Sequence, residues 1–534
     1  MHLLYLNRHI RSLFPVKSPP SPTVSTDREL CWFSLQGWKA ACRRISWAGT
    51  KASCLLIGLS VGLSVSVAEA LPLSSNPHLD PAIYVHPETV GQPWPHAKNK
   101  GLLAFRGNPT RSYYGEGPLP DNPKILWRKG RYCGRSSVGK SSKVWCGTGW
   151  TGQPVVWERE NSTEVIFGAY DYNIHFLDSK TGEDVRPVFK TRDIIKGSVS
   201  LDADGFPLLY SGSRDNFMRV ISLDGKKPKE LWAINGNMPG RVWNNDWDGN
   251  PLILGDYLLT GGENSWFFIA KLNRKMVDGK VTVKPKIVSK IKGFTRDLFR
   301  KIGDKMVSIE NSVAVFQNKV YFSNGGGLVQ GYDIDQLIAG AKREEAQVFE
   351  YWVGDDVDAT IVIDRQGMLY VSIEKERRVN KAQKLSGQLV KLDPTKPDDP
   401  IVWSNEFLNP AGGKGGLWAT PALYEDFLYV ATHPGELVAV SRLTGRITYR
   451  EKIGWHAWSS PVVVDDQLLV GTCTGKLNRY TLRNPAKPKK VWSFKIPSGG
   501  CVESTPAVWK GNIYVGNRDG YFYAIGEDQR TDQF

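Results

Sequence analysis

Eight residues, Gly134-Arg-Ser-Ser-Val-Gly-Lys-Ser141, fit the phosphate-binding pattern G-x-x-x-x-G-K-[ST] at every fixed position. In that pattern backbone N–H groups close around phosphate oxygens while the Lys and Ser reach the outer phosphates and a magnesium ion. It works only between a buried strand and the first turn of a helix. The next residues, Ser142-Lys-Val-Trp-Cys-Gly-Thr-Gly-Trp150, are glycine-rich and have no apolar period, so no helix starts there and no nucleotide is expected at Gly134–Ser141. A second set of residues holds more chemistry. Trp150, Trp247, Asp248, Glu310, Asn311, Asp356, Asp358, Trp418, Trp458 and Glu503 all stand at or just before the start of a short apolar run. Carboxylates and amides brought together from neighbouring runs are the oxygen ligands that a hard cation such as calcium takes.

The runs that must position these residues form a repeat. From Trp150 onward, a small or polar residue opens a short apolar strand, and a turn leads to a second strand ending in Gly, Ser or Thr. A third strand reading apolar-x-apolar follows. The unit occurs eight times, with first strands at 152–156, 198–202, 249–254, 311–316, 358–364, 419–424, 459–463 and 504–509. Spacings of about 40 to 62 residues are those of propeller blades carrying loop insertions. The alternation in these runs suits half-buried antiparallel strands. A fourth strand follows each of the first seven units, but the eighth has none. PKILWRKG (123–130) has the look of such a strand and no unit of its own. The reading is an all-β, eight-bladed β-propeller of four-stranded antiparallel blades, its ring closed by that N-terminal strand, which leaves no exposed sheet edge at the seam. The strand starts then form a ring at one channel mouth, acidic and lined by Trp.

Residues 1–70 read as a targeting segment. Arg43, Arg44 and Lys51 precede the apolar run Cys54–Ala68, and Ala68-Glu69-Ala70 offers small residues for cleavage near Ala70. The run is short and diluted by Ser and Gly, so no transmembrane span is expected after cleavage, and a periplasmic or extracellular location follows. Residues 71–100 read as a Pro-rich linker and 101–534 as one propeller domain. The chain carries 69 basic and 54 acidic residues, of which eight and three lie in residues 1–70, so the remainder keeps 61 against 51. That excess is spread out with no basic run, which argues against nucleic acid as a partner.

Seven cysteines become four once residues 1–70 are set aside: Cys133, Cys146, Cys473 and Cys501. Four cysteines in an exported chain imply two disulfides with three possible connectivities. Cys133 and Cys146 bracket one loop between blades. Cys473, in a blade-seven turn, and Cys501, entering blade eight, come to the same face, so the expected pairs are Cys133–Cys146 and Cys473–Cys501.

FRGNPTRS (105–112), ATPALYEDFLYVATHPGELVAVSRLTG (419–445) and STPAVWKGNIYVGNRDGYFYAIG (504–526) resemble the pyrroloquinoline-quinone-like (PQQ-like) repeat propellers. That family contains quinoprotein dehydrogenases and an outer-membrane assembly propeller. For the enzymes, the resemblance implies PQQ held on calcium, with Asp248, Glu310 and Asn311 at the metal. Asp356 or Asp358 would be the base, and Trp150, Trp247, Trp418, Trp458 and Glu503 would lie around the cofactor. The adjacent cysteine pair of those enzymes is absent, their Trp docking motif is degraded, and no C-x-x-C-H haem site occurs. Two readings therefore stand. The first is a binding or scaffolding module with an unidentified protein or small-molecule ligand, or a metal, at the mouth and no firm cofactor. The second is a PQQ- and calcium-dependent oxidoreductase of an alcohol or sugar.

Overall fold

The computed structural model describes residues 79–138, 141–149, 152–377 and 386–527. Within them eight small sheets follow one another in chain order, each of four antiparallel strands, with little helix. The eight-bladed propeller expected from the repeats is the fold. Blade 1 opens with Val155–Arg159 and blade 8 with Ala507–Trp509. The ring closes as expected: Lys124–Gly130 pairs antiparallel with Tyr521–Gly526 and forms the outer strand of blade 8.

Burial departs from the expected alternation in an informative way. The inner strands are buried on both faces, as in Val462–Val464 and Gln467–Thr472 of blade 7, because each blade is sandwiched between two others. Only the outer strands, such as Lys489–Lys495, alternate between water and core. Aromatic rings tie neighbouring blades together, Phe267 stacking on Phe322 at 4.9 Å between blades 3 and 4 and Phe167 on Phe522 at 3.8 Å across the seam.

The channel is filled from the face where the inner strands end. Lys100–Leu102 adds to the inner edge of blade 1, antiparallel, so the chain climbs from Glu158 toward Val156. It turns back, and Gly115–Glu116 leaves beside Val508 and Trp509, parallel to the inner strand of blade 8. Between these points the plug reaches every other blade. Leu103 O accepts from Leu201 N at 2.8 Å, Pro109 O from Val315 N at 2.9 Å and Thr110 O from Ile363 N at 3.1 Å. Asn250 Oδ1 accepts from Arg111 at 2.8 Å, and Tyr114 OH from Leu423 N at 2.7 Å. Arg106 donates to Pro461 O at 2.8 Å and also to Pro421 O. Both guanidinium groups are fully buried and bond to carbonyls and amides, with no carboxylate partner among the described residues. Burial lowers their pKa values, that of Arg111 to about 9. FRGNPTRS, the stretch that carried part of the resemblance, is thus the tip of an axial plug.

Gly101 and Gly115 make the close approach possible. They sit at φ +141° and +135°, and a Cβ would meet Val156 O at 1.9 Å and Val508 O at 2.2 Å. Residues 79–99, within the span read as linker, lie against blades 1 to 4. Leu79, Val85 and Trp94 join the core there, and Leu79 N donates to Asp335 at 2.7 Å. The targeting segment, 1–70, lies outside the described residues.

Residues 134–138 and Ser141 of GRSSVGKS lie in a two-stranded hairpin, Cys133–Val138 with Ser141–Cys146, within the loop between blades 8 and 1, and among the described residues it has neither the flanking helix nor the buried strand of a phosphate loop. Cys133 and Cys146 face each other across it and are bonded, with Cα atoms 4.1 Å apart. Cys473 and Cys501 are bonded as well, at 3.7 Å. Among the described residues no helix is long and apolar enough to cross a membrane.

Candidate functional site

Above the plug lies a funnel built from two kinds of segment: the residues that precede each inner strand and the turns between second and third strands. On blades 2 and 3 these bring Lys196 and Arg214 against Asp246, Asp248 and Glu263. All three acids are at most 3 % exposed, and their oxygens lie within 4.8 Å of one another. The Lys196 ammonium sits among them, bonded to Asp248, 3.0 Å from Glu263 and 3.8 Å from Asp246. Arg214 Nε bonds Asp246 at 2.8 Å. Burial, and then the neighbouring Glu263, raise Asp246 to about 8, whereas Asp248, nearer the ammonium, rises only to about 6. Against its own burial, Lys196 is held well above the usual lysine value by Asp248, Glu263 and Asp246.

Blades 4 and 5 contribute a second acidic group: Glu310, Asp356, Asp358 and Glu374. Ser308 Oγ donates to Glu310 at 2.8 Å. Asp358 and Glu374, the latter 2 % exposed, are hydrogen-bonded to each other, and Asp356 keeps a buried Oδ1 with no hydrogen-bond partner among the described residues. Burial first, and then repulsion from one another, push all four carboxyls well above the normal range. A cavity of about 10 Å³ lies between Glu310, Asp358, Phe105 and Trp418. The nearby Arg377 is occupied elsewhere, with Asp355 at 3.1 Å, Asp304 at 3.3 Å and Gly325 O at 2.8 Å.

On blades 6 and 7 the funnel wall is aromatic. Trp418 stacks on Trp458 at 4.6 Å, and Trp458 Nε1 donates to His433 Nδ1 at 2.8 Å. His433 in turn lies 4.3 Å from His456, which contacts Trp455, the exposed end of the ladder. Burial, then His456 and Lys414, lower His433 to about 4, so it is neutral at pH 7.

The expected site residues therefore separate. Asp248, Glu310, Asp356, Asp358, Trp418 and Trp458 do line one funnel. Trp247 instead lies in the core between blades 2 and 3, 1 % exposed, with Nε1 bonded to Asn216 O. The Asn311 amide is spent on structure: it donates to Val357 O at 2.8 Å and Ser323 O at 3.0 Å, and its oxygen accepts from Ser323 N, fastening blade 4 to blade 5. Glu503 sits on blade 8, 3.5 Å from Arg518. Trp150 lies outside the described residues. Sequence reasoning gave Lys196 no role and passed over Glu263 and Glu374. Their signal was position, since both lie at or just after the turn that faces the mouth.

This geometry does not fit the expected calcium set. The Asn311 amide oxygen already accepts from Ser323 N, and Asp248 already binds an ammonium. The one compact carboxylate triad among the described residues is filled by Lys196. Free thiolates are absent from the other compact group, Cys473, Cys501 and Glu503, because its cysteines are bonded to each other.

Residues 385–531 match a family model described as outer membrane protein assembly factor BamB. Among solved structures, BamB from Moraxella catarrhalis is similar at 14 % identity and TM-score 0.51, with 76 % of this chain and all of that one covered. A europium-containing methanol dehydrogenase is similar at 10 % identity and TM-score 0.52, covering 80 % and 98 %. The computationally designed Ika8 protein is similar at 11 % and 0.50, covering 72 % and 96 %. No curated protein matches. At these identities the likeness is one of fold, and the fold serves binding and catalysis alike. By its architecture the chain is an eight-bladed β-propeller, and its residues 385–531 are similar to the PQQ-like repeat family.

Proposed function

We propose that the protein is an exported binding or scaffolding module that presents its acidic, Trp-lined funnel to a partner. The observation that carries this reading is the Lys196 ammonium, which takes the place of a metal in the compact carboxylate triad. The plug supports it, because its tip, through Phe105, forms part of the floor and leaves only a cavity of about 10 Å³ beneath Glu310, Asp358 and Trp418. Export is supported by the two disulfides, which suit an oxidising compartment, and by the apolar run before Ala70. We place the domain boundary after the targeting segment, with residues 101–534 as one propeller. The family description of an assembly factor is consistent with a scaffold.

The rival is a PQQ- and calcium-dependent dehydrogenase. Purified protein is mixed with PQQ and calcium, filtered, and assayed for bound quinone absorbance and for dye reduction with alcohols and sugars. No retained PQQ and no turnover are expected. Stoichiometric retention with turnover would reverse the assignment.

A further inference from the structure

The basic excess shows no run along the chain, yet the fold gathers part of it on one face. The loops that lead from each outer strand to the next blade reach the funnel face, and among the described residues their exposed charges are basic apart from Asp297 and Glu406. Asp297 is itself paired, with Arg300 at 3.1 Å and Lys301 at 3.0 Å. Arg135 and Lys143 stand between blades 8 and 1, Arg192 between 1 and 2, Arg241 between 2 and 3, and Lys305 between 3 and 4, none with an ion-pair partner among the described residues. The funnel carboxylates are recessed behind these tips, and none of them is exposed. Turns on the opposite face mix the two signs: Glu183 and Asp184 follow Lys180, and Asp398 and Asp399 follow Lys396. Apolar tips stand among the funnel-face cations. Val144 adjoins Lys143, and Leu408 shares a loop with Lys414. Trp243 and Trp455 are the two exposed tryptophans among the described residues, at 47 % and 60 %, and lie two residues from Arg241 and three from Lys452.

We propose that the funnel-face loops dock the propeller on an anionic membrane surface. The Arg and Lys side chains would meet lipid phosphates, and Trp243, Trp455, Val144 and Leu408 would enter the interfacial layer. This docking goes beyond the binding reading above and holds whatever the funnel takes up, since it uses loop tips outside the funnel.

Charge, spread and side-chain type favour a lipid surface. Cations on successive connections of the ring form a broad array, which suits headgroups that move laterally to meet them. Each Lys or Arg close to an anionic surface is worth about fivefold in partitioning, and salt screens that gain. Tryptophan settles at headgroup level because its ring is apolar and its N–H polar. The neighbouring Lys and Arg can lay their stems along apolar surface while the charges stay among the phosphates. An acidic protein would answer the charge as well. Its interface, however, would need a packed apolar centre, whereas these tips sit on separate loops around the ring, an arrangement for shallow entry into a fluid layer.

Co-sedimentation of the purified protein with vesicles tests this. Vesicles of phosphatidylcholine alone are compared with an equal mixture of phosphatidylcholine and phosphatidylglycerol. Binding to the anionic vesicles is expected at low salt, at least about tenfold tighter than to the zwitterionic ones, and is lost as salt rises toward about 0.5 M. Arg192→Glu with Lys305→Glu should weaken it at least about tenfold. Lys226→Glu with Lys487→Glu, on exposed turns of the opposite face, makes the same change in net charge and should leave it unaltered. Trp243→Ala with Trp455→Ala should weaken it about tenfold through lost apolar contact. These variants share one amino-terminal segment, so attachment through the apolar run Cys54–Ala68 would make them all bind like the wild type and would overturn the proposal. It is also overturned if neither vesicle binds, if both bind alike, or if reversal on either face has the same effect. Polyglutamate bound as tightly as the vesicles, with the Trp variants unchanged, would assign the face to an acidic protein instead. The wild-type comparison of the two vesicle types stands on its own if a variant fails to fold.

Discussion

His433 shows how one side chain in the funnel wall couples folding to pH. Its neutral ring accepts the Trp458 N–H, and burial, His456 and Lys414 hold its pKa near 4. An unfolded histidine takes up a proton near 6.5. The folded value is the lower one, so the unfolded state binds the proton first. Stability is therefore full above about pH 6.5 and falls as the pH drops toward 4, by about 3 kcal/mol from this residue. Urea midpoints at pH 7.0 and 4.5 should fall less for His433→Gln, which keeps an acceptor for Trp458, than for the wild type. Identical pH dependence in the two proteins would contradict this. Asp246 works in the opposite sense, since its raised pKa costs stability as the pH climbs from about 4 to about 8. The same scale shows where sequence reasoning stopped. Residue type and position put Asp248, Glu310, Asp356, Asp358, Trp418 and Trp458 at one mouth. Nothing in residue type shows that the Asn311 amide is consumed by Val357 and Ser323, or that Trp247 turns into the core, because side-chain direction depends on the neighbouring blade.

Among the elements, the strands were readable and the plug was not. Inner strands announce themselves by apolar runs, and the closing strand by being left over. The plug's strands, Lys100–Leu102 and Gly115–Glu116, are too short to show a period, and its energy lies in hydrogen bonds to eight separate blades. Gly101 measures its importance. Alanine there combines a disfavoured φ with a clash against Val156 O, and is expected to destabilise the protein by about 3 kcal/mol. Gly91, at φ +80° with nothing near a Cβ, is the matched control and should lose about 1 kcal/mol on the same change. Equal urea midpoints for the two variants would mean that the plug contributes little to folding. The phosphate-loop pattern failed for a comparable reason, because its spacing was met by a hairpin whose conformation is set by the strand pairing and by the Cys133–Cys146 bond.

At the level of the whole molecule, both disulfides flank the seam blade. Cys473–Cys501 spans the passage from blade 7 to blade 8, and Cys133–Cys146 closes the hairpin between the closing strand of blade 8 and blade 1. Blade 8 is the blade assembled from the first and last strands of the propeller, so the bonds are placed where closure is most open to fraying. Each is expected to contribute about 3 kcal/mol. Cys473→Ser with Cys501→Ser should lower the urea midpoint and speed proteolysis first within blade 8, as read by mass spectrometry of limited digests. Cleavage beginning in blades 3 to 5 would show the seam to be no weaker than the rest. The ring of eight was readable because each blade repeats the same burial problem. The pairing of Lys196 and Arg214 with Asp246, Asp248 and Glu263 was not, because it arises only when non-repeating residues on different blades meet.

The plug and the closing strand also set the order in which the chain can mature. Both lie near the beginning of the propeller, yet Gly115 and Lys124–Gly130 find their partners only in Ala507–Trp509 and Tyr521–Gly526, in the last blade of the ring to be made. A ribosome or export channel releasing the chain from its amino end delivers the axle and the latch first and the wall that receives them last. Until that wall arrives, two arginines destined for full burial and an unpaired strand edge stay exposed to whatever surrounds the emerging chain.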